Sequence, residues 1–263
     1  MNCLVEVSDL HIRYGSYEAV KGVSFTLGKS EILGIVGESG SGKSTIAKAI
    51  MGLQEPSSGK IEIAPGTGIQ MIFQDAVGSL NPRMTVRQTL EEVLKVKGRR
   101  KKEEGKRERE EGRGKKEGGR SAESLLSLVG LSKAVLDQYP REMSGGQCQR
   151  VSIARALACE PRVLVADEPV SALDVSVQAR VLNLLRDLCR GLGLSIILIA
   201  HDLAVVKNVC DRICVMERGL FVDEGRPESV FASPSSEYTR RLLAAVPRIA
   251  NCQPLTANRQ NMI

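Results

Sequence analysis

The chain of 263 residues is long enough for one α/β domain with a small inserted lobe. Hydrophobic residues make up 42% and charged residues 26%, whereas aromatic residues account for only 3%, so we expect an aliphatic core. No apolar run approaches the roughly eighteen residues of a membrane-spanning helix, which excludes a chain that forms a pathway through a bilayer by itself.

The net charge of +6 comes from one segment, residues 97–120, which holds 12 Lys/Arg and 6 Glu. The rest of the chain has 25 basic and 25 acidic residues, so the charge does not indicate a nucleic-acid-binding core. Because the segment has no apolar residue, we expect a mobile loop or a frayed, solvated helix. Contact with anionic lipid or RNA is the alternative.

The seven cysteines form no CxxC pair, and no signal peptide is recognisable at the N-terminus. This pattern predicts reduced thiols in the cytoplasm. Cys210 and Cys214 have the spacing of a ligand pair on a helix, but neither histidine is near them in sequence, so a metal site there is not favoured.

The apolar pattern predicts strands that alternate with helices. We expect strands at residues 4–14, 20–27, 31–36, 60–64, 70–73, 163–166 and 195–200. We expect helices at residues 44–53, 121–139, 147–158 and 175–190. This alternation predicts a mostly parallel sheet covered on both faces, with functional loops at the C-terminal ends of its strands.

A glycine-rich segment, GESGSGKS at residues 37–44, follows the third predicted strand and opens a helix. It matches G-x-x-x-x-G-K-[ST], in which backbone N–H groups surround the phosphates of a nucleotide. Lys43 can reach the β/γ oxygens and Ser44 can bind Mg²⁺. A glycine-rich turn without a ligand is the alternative. The residues assigned to ATP are Gly37, Glu38, Ser39, Gly40, Ser41, Gly42, Lys43, Ser44 and Thr45.

Three further side chains follow apolar strands that should end at the same edge of the sheet. Asp167 and Glu168 come after residues 163–166, which places one carboxylate for Mg²⁺ and a second as the general base for the attacking water. His201 follows residues 195–200 and could touch the γ-phosphate. A solvated Asp-Glu turn and a structural histidine are the alternatives.

Residues 143–147, MSGGQ, followed by CQRVSIARAL, resemble the signature motif of ABC ATPases. The Ser144 hydroxyl and the backbone N–H groups that follow it lie at a helix N-terminus and form a second anion-binding edge. The chain's own phosphate loop is a separate segment, so this edge has no phosphate from the same chain to bind. In this family that edge closes over ATP held by a second subunit. The residues concerned are Ser144, Gly145, Gly146 and Gln147.

Other elements of the family match single residues. Tyr14 lies where the adenine-stacking aromatic is found, Gln74 belongs to the Q-loop that contacts Mg²⁺, and Asp174 belongs to the D-loop. A strand-end tyrosine and a solvated glutamine are the alternatives for the first two. The resemblance implies a P-loop NTPase fold with a mostly parallel central sheet, an antiparallel β subdomain and a small helical subdomain at about residues 75–160. We expect this domain to span residues 1–247, followed by a tail of residues 248–263.

Three segments are similar to the dipeptide, oligopeptide and nickel importer subfamily: residues 79–86, 173–185 and 238–247. The subfamily often has His-Pro where this chain has Ser236-Glu237, and the transported molecule (a dipeptide, an oligopeptide, nickel or a metallophore) is left open.

The resemblance implies an ATPase docked on the cytoplasmic face of the membrane. Its partners would be a second ATPase subunit, with a heterodimer favoured over a homodimer, two permease subunits and, indirectly, an extracytoplasmic binding protein. No nucleic acid is expected. The alternatives are a non-transport ABC ATPase of translation or DNA repair and a P-loop switch or kinase. The insert is too short and too polar for a coiled coil, which counts against the former.

Overall fold

The computed structural model describes residues 3–110 and 120–245, without the side chains of residues 99–110. The expected tail, residues 248–263, and residues 111–119 of the charged segment therefore lie outside the described residues. Within the described part, two β-sheets and a set of helices enclose two apolar cores.

The central sheet has six strands: β3 (Ile32–Val36), β5 (Ile69–Ile72), β6 (Val163–Asp167), β7 (Ser195–Ala200), β8 (Arg212–Glu217) and β9 (Leu220–Gly225). Their order is β5-β6-β7-β3-β8-β9, and every neighbouring pair is parallel except β8 and β9. All residues of β3, β6 and β7 are buried, as expected for strands covered on both faces. The prediction of a mostly parallel sheet is confirmed.

A second, antiparallel sheet consists of β1 (Cys3–Tyr14), β2 (Tyr17–Gly28) and β4 (Ser58–Ile63), with β1 in the middle. Alternating apolar residues of β1 and β2, including Leu10 and Ile12, are buried. They belong to one core with Ile46 of α1 (Lys43–Ile50) and Val165 of β6. The hairpin sheet is therefore fixed against the helix that follows the phosphate loop.

Helices supply the second core, on the other face of the central sheet. They are α2 (Val86–Glu110), α3 (Ala122–Leu128), α4 (Gly145–Ala158), α5 (Val175–Leu192), α6 (Leu203–Lys207), α7 (Pro227–Ala232) and α8 (Glu237–Ala245), with 3₁₀ turns at Lys133–Asp137 and Pro140–Glu142. The helix expected at residues 121–139 is thus divided. Gly130 adopts a φ of 66° directly after α3, a conformation that commonly ends a helix.

The charged segment begins inside α2, which continues to Glu110. Of the two predicted forms, the structure shows helix for residues 97–110. Lys97, near the start of the segment, forms an ion pair with Glu160, at the end of the helical lobe that α2, α3 and α4 form together. Among the described helices, none is both long enough and apolar enough to cross a membrane.

Candidate nucleotide-binding site

The phosphate loop lies between β3 and α1, and two of its glycines are required by packing. A Cβ on Gly37 would lie 2.1 Å from the carbonyl oxygen of Met216. Gly42 has a φ of 113°, and its Cβ would lie 2.5 Å from the carbonyl oxygen of Ala19. The loop is therefore pressed between β8 and β2 so closely that only glycine fits at both positions.

Lys43 occupies the centre of this loop. Its Nζ donates to the carbonyl oxygens of Gly37 at 2.8 Å and Glu38 at 2.7 Å. Burial lowers the pKa of Lys43, and the nearby carboxylates of Glu168, Asp167 and Glu38 oppose this effect. A phosphate beside Lys43 would add further negative charge that favours the protonated form of this buried ammonium.

A hydrogen bond joins Ser44, in the first turn of α1, to Asp167, at the end of β6. Ser44 Oγ donates to Asp167 Oδ1 at 3.0 Å, although the two residues are 123 positions apart. Burial raises the pKa of the Asp167 carboxyl, and the hydrogen bond from Ser44 partly counteracts it. Oxygen donors of this kind suit Mg²⁺, and a bound divalent cation would favour the ionised carboxylate.

Two of the residues predicted to be catalytic, Gln74 and His201, contact the same carboxylate oxygen of the third, Glu168. Gln74 Nε2 donates to Glu168 Oε2 at 3.3 Å, and His201 Nδ1 lies 3.2 Å from the same oxygen. The Glu168 side chain is 16% exposed and that of His201 is 53% exposed, so the histidine lies on the open side of the cluster. The edge of the parallel sheet brings together side chains from three separate segments.

Sequence reasoning missed the part that Ser171 has in this cluster. Gln74 Nε2 is 3.2 Å from Ser171 Oγ, and Ser171 Oγ donates to the carbonyl oxygen of Glu168 at 3.1 Å. Glu168 itself has a φ of 45°, an unfavourable conformation for a residue with a side chain. Such strain occurs most often at functional sites. A hydroxyl in a loop three residues after a carboxylate gives no distinctive signal in one sequence.

The signature residues form the start of α4. Ser144 Oγ accepts the N–H of Gln147 at 3.3 Å, and Gln147 Oε1 accepts the N–H of Ser144 at 2.9 Å, which is a capping box. A Cβ on Gly146 would lie 2.5 Å from Val177 Cγ1, so this end of α4 packs closely on α5. Within the described chain, no hydrogen bond joins the signature residues to the phosphate loop.

Asp174 and Tyr14 lie at exposed positions. Asp174 precedes α5 and makes no side-chain capping hydrogen bond, and the next residue, Val175, is 78% exposed. Tyr14 ends β1 and is 45% exposed. The following strand, β2, lies against the phosphate loop at Ala19.

Comparison with protein families matches residues 20–171 to the family described as "ABC transporter". The chain is 42% identical over 273 residues to the oligopeptide transport ATP-binding protein OppF of Salmonella typhimurium, covering 93% of this chain and 78% of that protein. It is 43% identical to a putative peptide import ATP-binding protein of Brucella ovis, covering 89% of this chain and 74% of that protein.

Solved structures give the same fold. The structure of cbiO1 from Clostridium perfringens, part of the ABC transporter complex cbiONQ, superposes with a TM-score of 0.72 at 28% identity, covering 95% of this chain and 98% of that chain. The dimeric ATP-binding cassette MJ0796 bound to ADP and Pi superposes with a TM-score of 0.67 at 27% identity, covering 85% and 99%.

Proposed function

Because the chain belongs to the ABC transporter family, we propose that it is the ATP-hydrolysing subunit of a transporter that imports peptides. The observation that carries the proposal is that Gln74 and His201 both contact Oε2 of Glu168. This cluster lies beside the contact between Ser44 and Asp167. A non-transport ABC ATPase is not favoured, since both relatives described above are named for peptide transport or import.

The phosphates of ATP are bound by the loop and Lys43. In this proposal Lys43 Nζ exchanges its bonds to the Gly37 and Glu38 carbonyl oxygens for the β- and γ-phosphate oxygens. Ser44 and Asp167, which are already in contact, would hold Mg²⁺ together with Gln74. The chemistry that the cation would supply there is neutralisation of negative charge on the β- and γ-phosphates.

Glu168 is the general base. Its Oε2 is occupied by Gln74 and His201, whereas Oε1 has no hydrogen bond to any described residue and can accept a proton from the attacking water. His201 keeps the carboxylate in place and presents its exposed ring to the γ-phosphate. Gln74 connects this cluster to the segment that leads into the helical lobe.

A second subunit completes each ATP site. The Ser144 hydroxyl accepts a hydrogen bond from Gln147, which leaves its proton free to donate to a phosphate held by the partner. Tyr14 supplies an exposed ring for adenine, and Asp174 lies beside the exposed Val175 on the surface that would meet the partner. We favour a heterodimer, in keeping with the resemblance to importers that combine two different ATPase subunits.

ABC transporter ATPases act as peripheral subunits on membrane permeases. We propose two permease partners, a position on the cytoplasmic face and an indirect connection to an extracytoplasmic binding protein. Peptides are favoured over nickel as the transported molecule, because neither relative is named for nickel.

Uptake of a labelled oligopeptide and of labelled nickel tests the proposal in cells that carry the native chain or the Glu168→Gln variant. We expect the variant to lose peptide uptake and to keep nickel uptake. Loss of nickel uptake alone would replace the peptide assignment, and unchanged uptake of both would refute a role in importing either.

A further inference from the structure

Helix α8, the last of the described helices, contacts the phosphate loop through a tyrosine hydroxyl. The backbone N–H of Glu38 donates to Tyr238 Oη at 2.8 Å, across 200 positions of sequence. Tyr238 is only 5% exposed, so water competes weakly for this bond. The sequence relates the segment around Tyr238 to importers but gives it no task.

Helix α8 is fixed at its start by one carboxylate of the central sheet. Asp223 on β9 accepts the N–H groups of Ser235 at 2.9 Å and Ser236 at 3.0 Å and the hydroxyl of Thr239 at 2.5 Å. Burial alone would raise the pKa of Asp223, but the hydrogen bonds from Thr239, Ser236 and Ser235 outweigh it and lower the pKa. The helix therefore holds Tyr238 at a defined position relative to β9.

The peptide between Gly37 and Glu38 is bound on both sides. Its N–H, that of Glu38, is held by Tyr238, and its carbonyl oxygen, that of Gly37, accepts from Lys43 Nζ at 2.8 Å. The loop between β8 and β9 adds a second attachment, because the N–H of Gly219 donates to the carbonyl oxygen of Ser41 at 2.9 Å. The outer side of the phosphate loop is thus fixed to β9 and α8.

We propose that Tyr238 is a positioning residue for ATP binding, whose hydroxyl orients the Gly37–Glu38 peptide and so keeps the phosphate loop and Lys43 ready for the nucleotide. The proposal rests on the function proposed above. Without the hydroxyl, the Glu38 N–H loses its partner and the loop must be ordered when ATP binds, which weakens binding. The chemical step is unaffected, because Tyr238 makes no described contact with Gln74, Glu168 or His201.

The test compares Tyr238→Phe with Tyr139→Phe, a control that removes a tyrosine hydroxyl in the helical lobe, where the ring lies against Arg141. ATP affinity with Mg²⁺ is measured in the Glu168→Gln background, so that hydrolysis does not interfere, and KM and kcat are measured with Glu168 intact. We expect Tyr238→Phe to raise Kd and KM about fivefold with kcat within a factor of two, which corresponds to one net hydrogen bond. Tyr139→Phe should change neither.

The result that overturns the inference is an unchanged Kd for Tyr238→Phe, or a fall in kcat and melting temperature without a change in Kd. The latter outcome would assign the hydroxyl to the general stability of α8. A native chain that binds no ATP would instead refute the proposed function, so the two failures are distinguishable.

Discussion

Alanine substitutions at three glycines of the phosphate loop separate steric crowding from backbone strain. Gly37 has no positive φ, but its added Cβ would lie 2.1 Å from the Met216 carbonyl oxygen. Gly40 has a φ of 80° with nothing within 4 Å of an added Cβ. Gly42 combines a φ of 113° with a Cβ that would lie 2.5 Å from the Ala19 carbonyl oxygen.

These geometries predict an order of stability for the nucleotide-free chain. Gly40→Ala meets only the strain of a left-handed residue, about 1–2 kcal/mol. Gly37→Ala forces two backbone segments apart by more than about 1 Å to reach an ordinary contact distance, which disturbs β8 and costs about 3 kcal/mol, the upper end for overpacking. Gly42→Ala has both penalties and should be the least stable of the three.

Urea unfolding of the three variants without nucleotide measures the free energy of unfolding directly. The comparison isolates packing because no phosphate is present to be displaced. Equal stability of Gly37→Ala and the native chain, or a larger loss for Gly40→Ala than for Gly42→Ala, would show that the loop is not confined between β8 and β2 as described.

Three other substitutions test the site. Glu168→Gln should retain ATP binding but lower kcat by about 10²-fold or more, since the amide cannot accept the proton of water; undiminished turnover would remove Glu168 from the role of base. Asp167→Asn should weaken Mg²⁺-dependent ATP binding in a titration, yet stabilise the metal-free chain at neutral pH. The folded-state pKa of Asp167 is raised, so the native chain loses stability as pH rises from the unfolded-state value through the folded-state value, and this pH dependence should be smaller in Asp167→Asn. Ser144→Ala should cost about 1 kcal/mol in urea unfolding, through the lost helix cap, and lower ATPase activity of the assembled dimer while leaving ATP binding to the single chain unchanged.

The sequence was sufficient to predict four of the six strands of the central sheet and to place Glu168 and His201 at one edge of it, whereas β8 and β9 were missed and Gln74 was assigned only through the family resemblance. Parallel strands end at a common edge, so residues that follow different strands are neighbours wherever the sheet forms. The same rule accounts for the contact between Ser44 and Asp167. The roles assigned to these residues remain predictions.

Other features depend on contacts that no local pattern encodes. The bond between Tyr238 and Glu38 requires α8 to reach the phosphate loop, and this depends on how Asp223 anchors the helix. The packing demand on Gly37 comes from Met216, almost 180 positions away. The helical spacing at residues 121–139 continues past Gly130, so periodicity alone did not reveal where α3 ends.

The tight packing of Gly146 against Val177 has a mechanical consequence. In the proposed dimer, Ser144 serves the nucleotide of the partner whereas Glu168 serves the nucleotide of its own chain. Between them, α4 rests on the first turn of α5, and only residues 169–174 connect α5 to the strained backbone of Glu168. In the proposed dimer, this short connection is the route by which a displacement of the signature helix at one ATP site would reach Glu168 at the other.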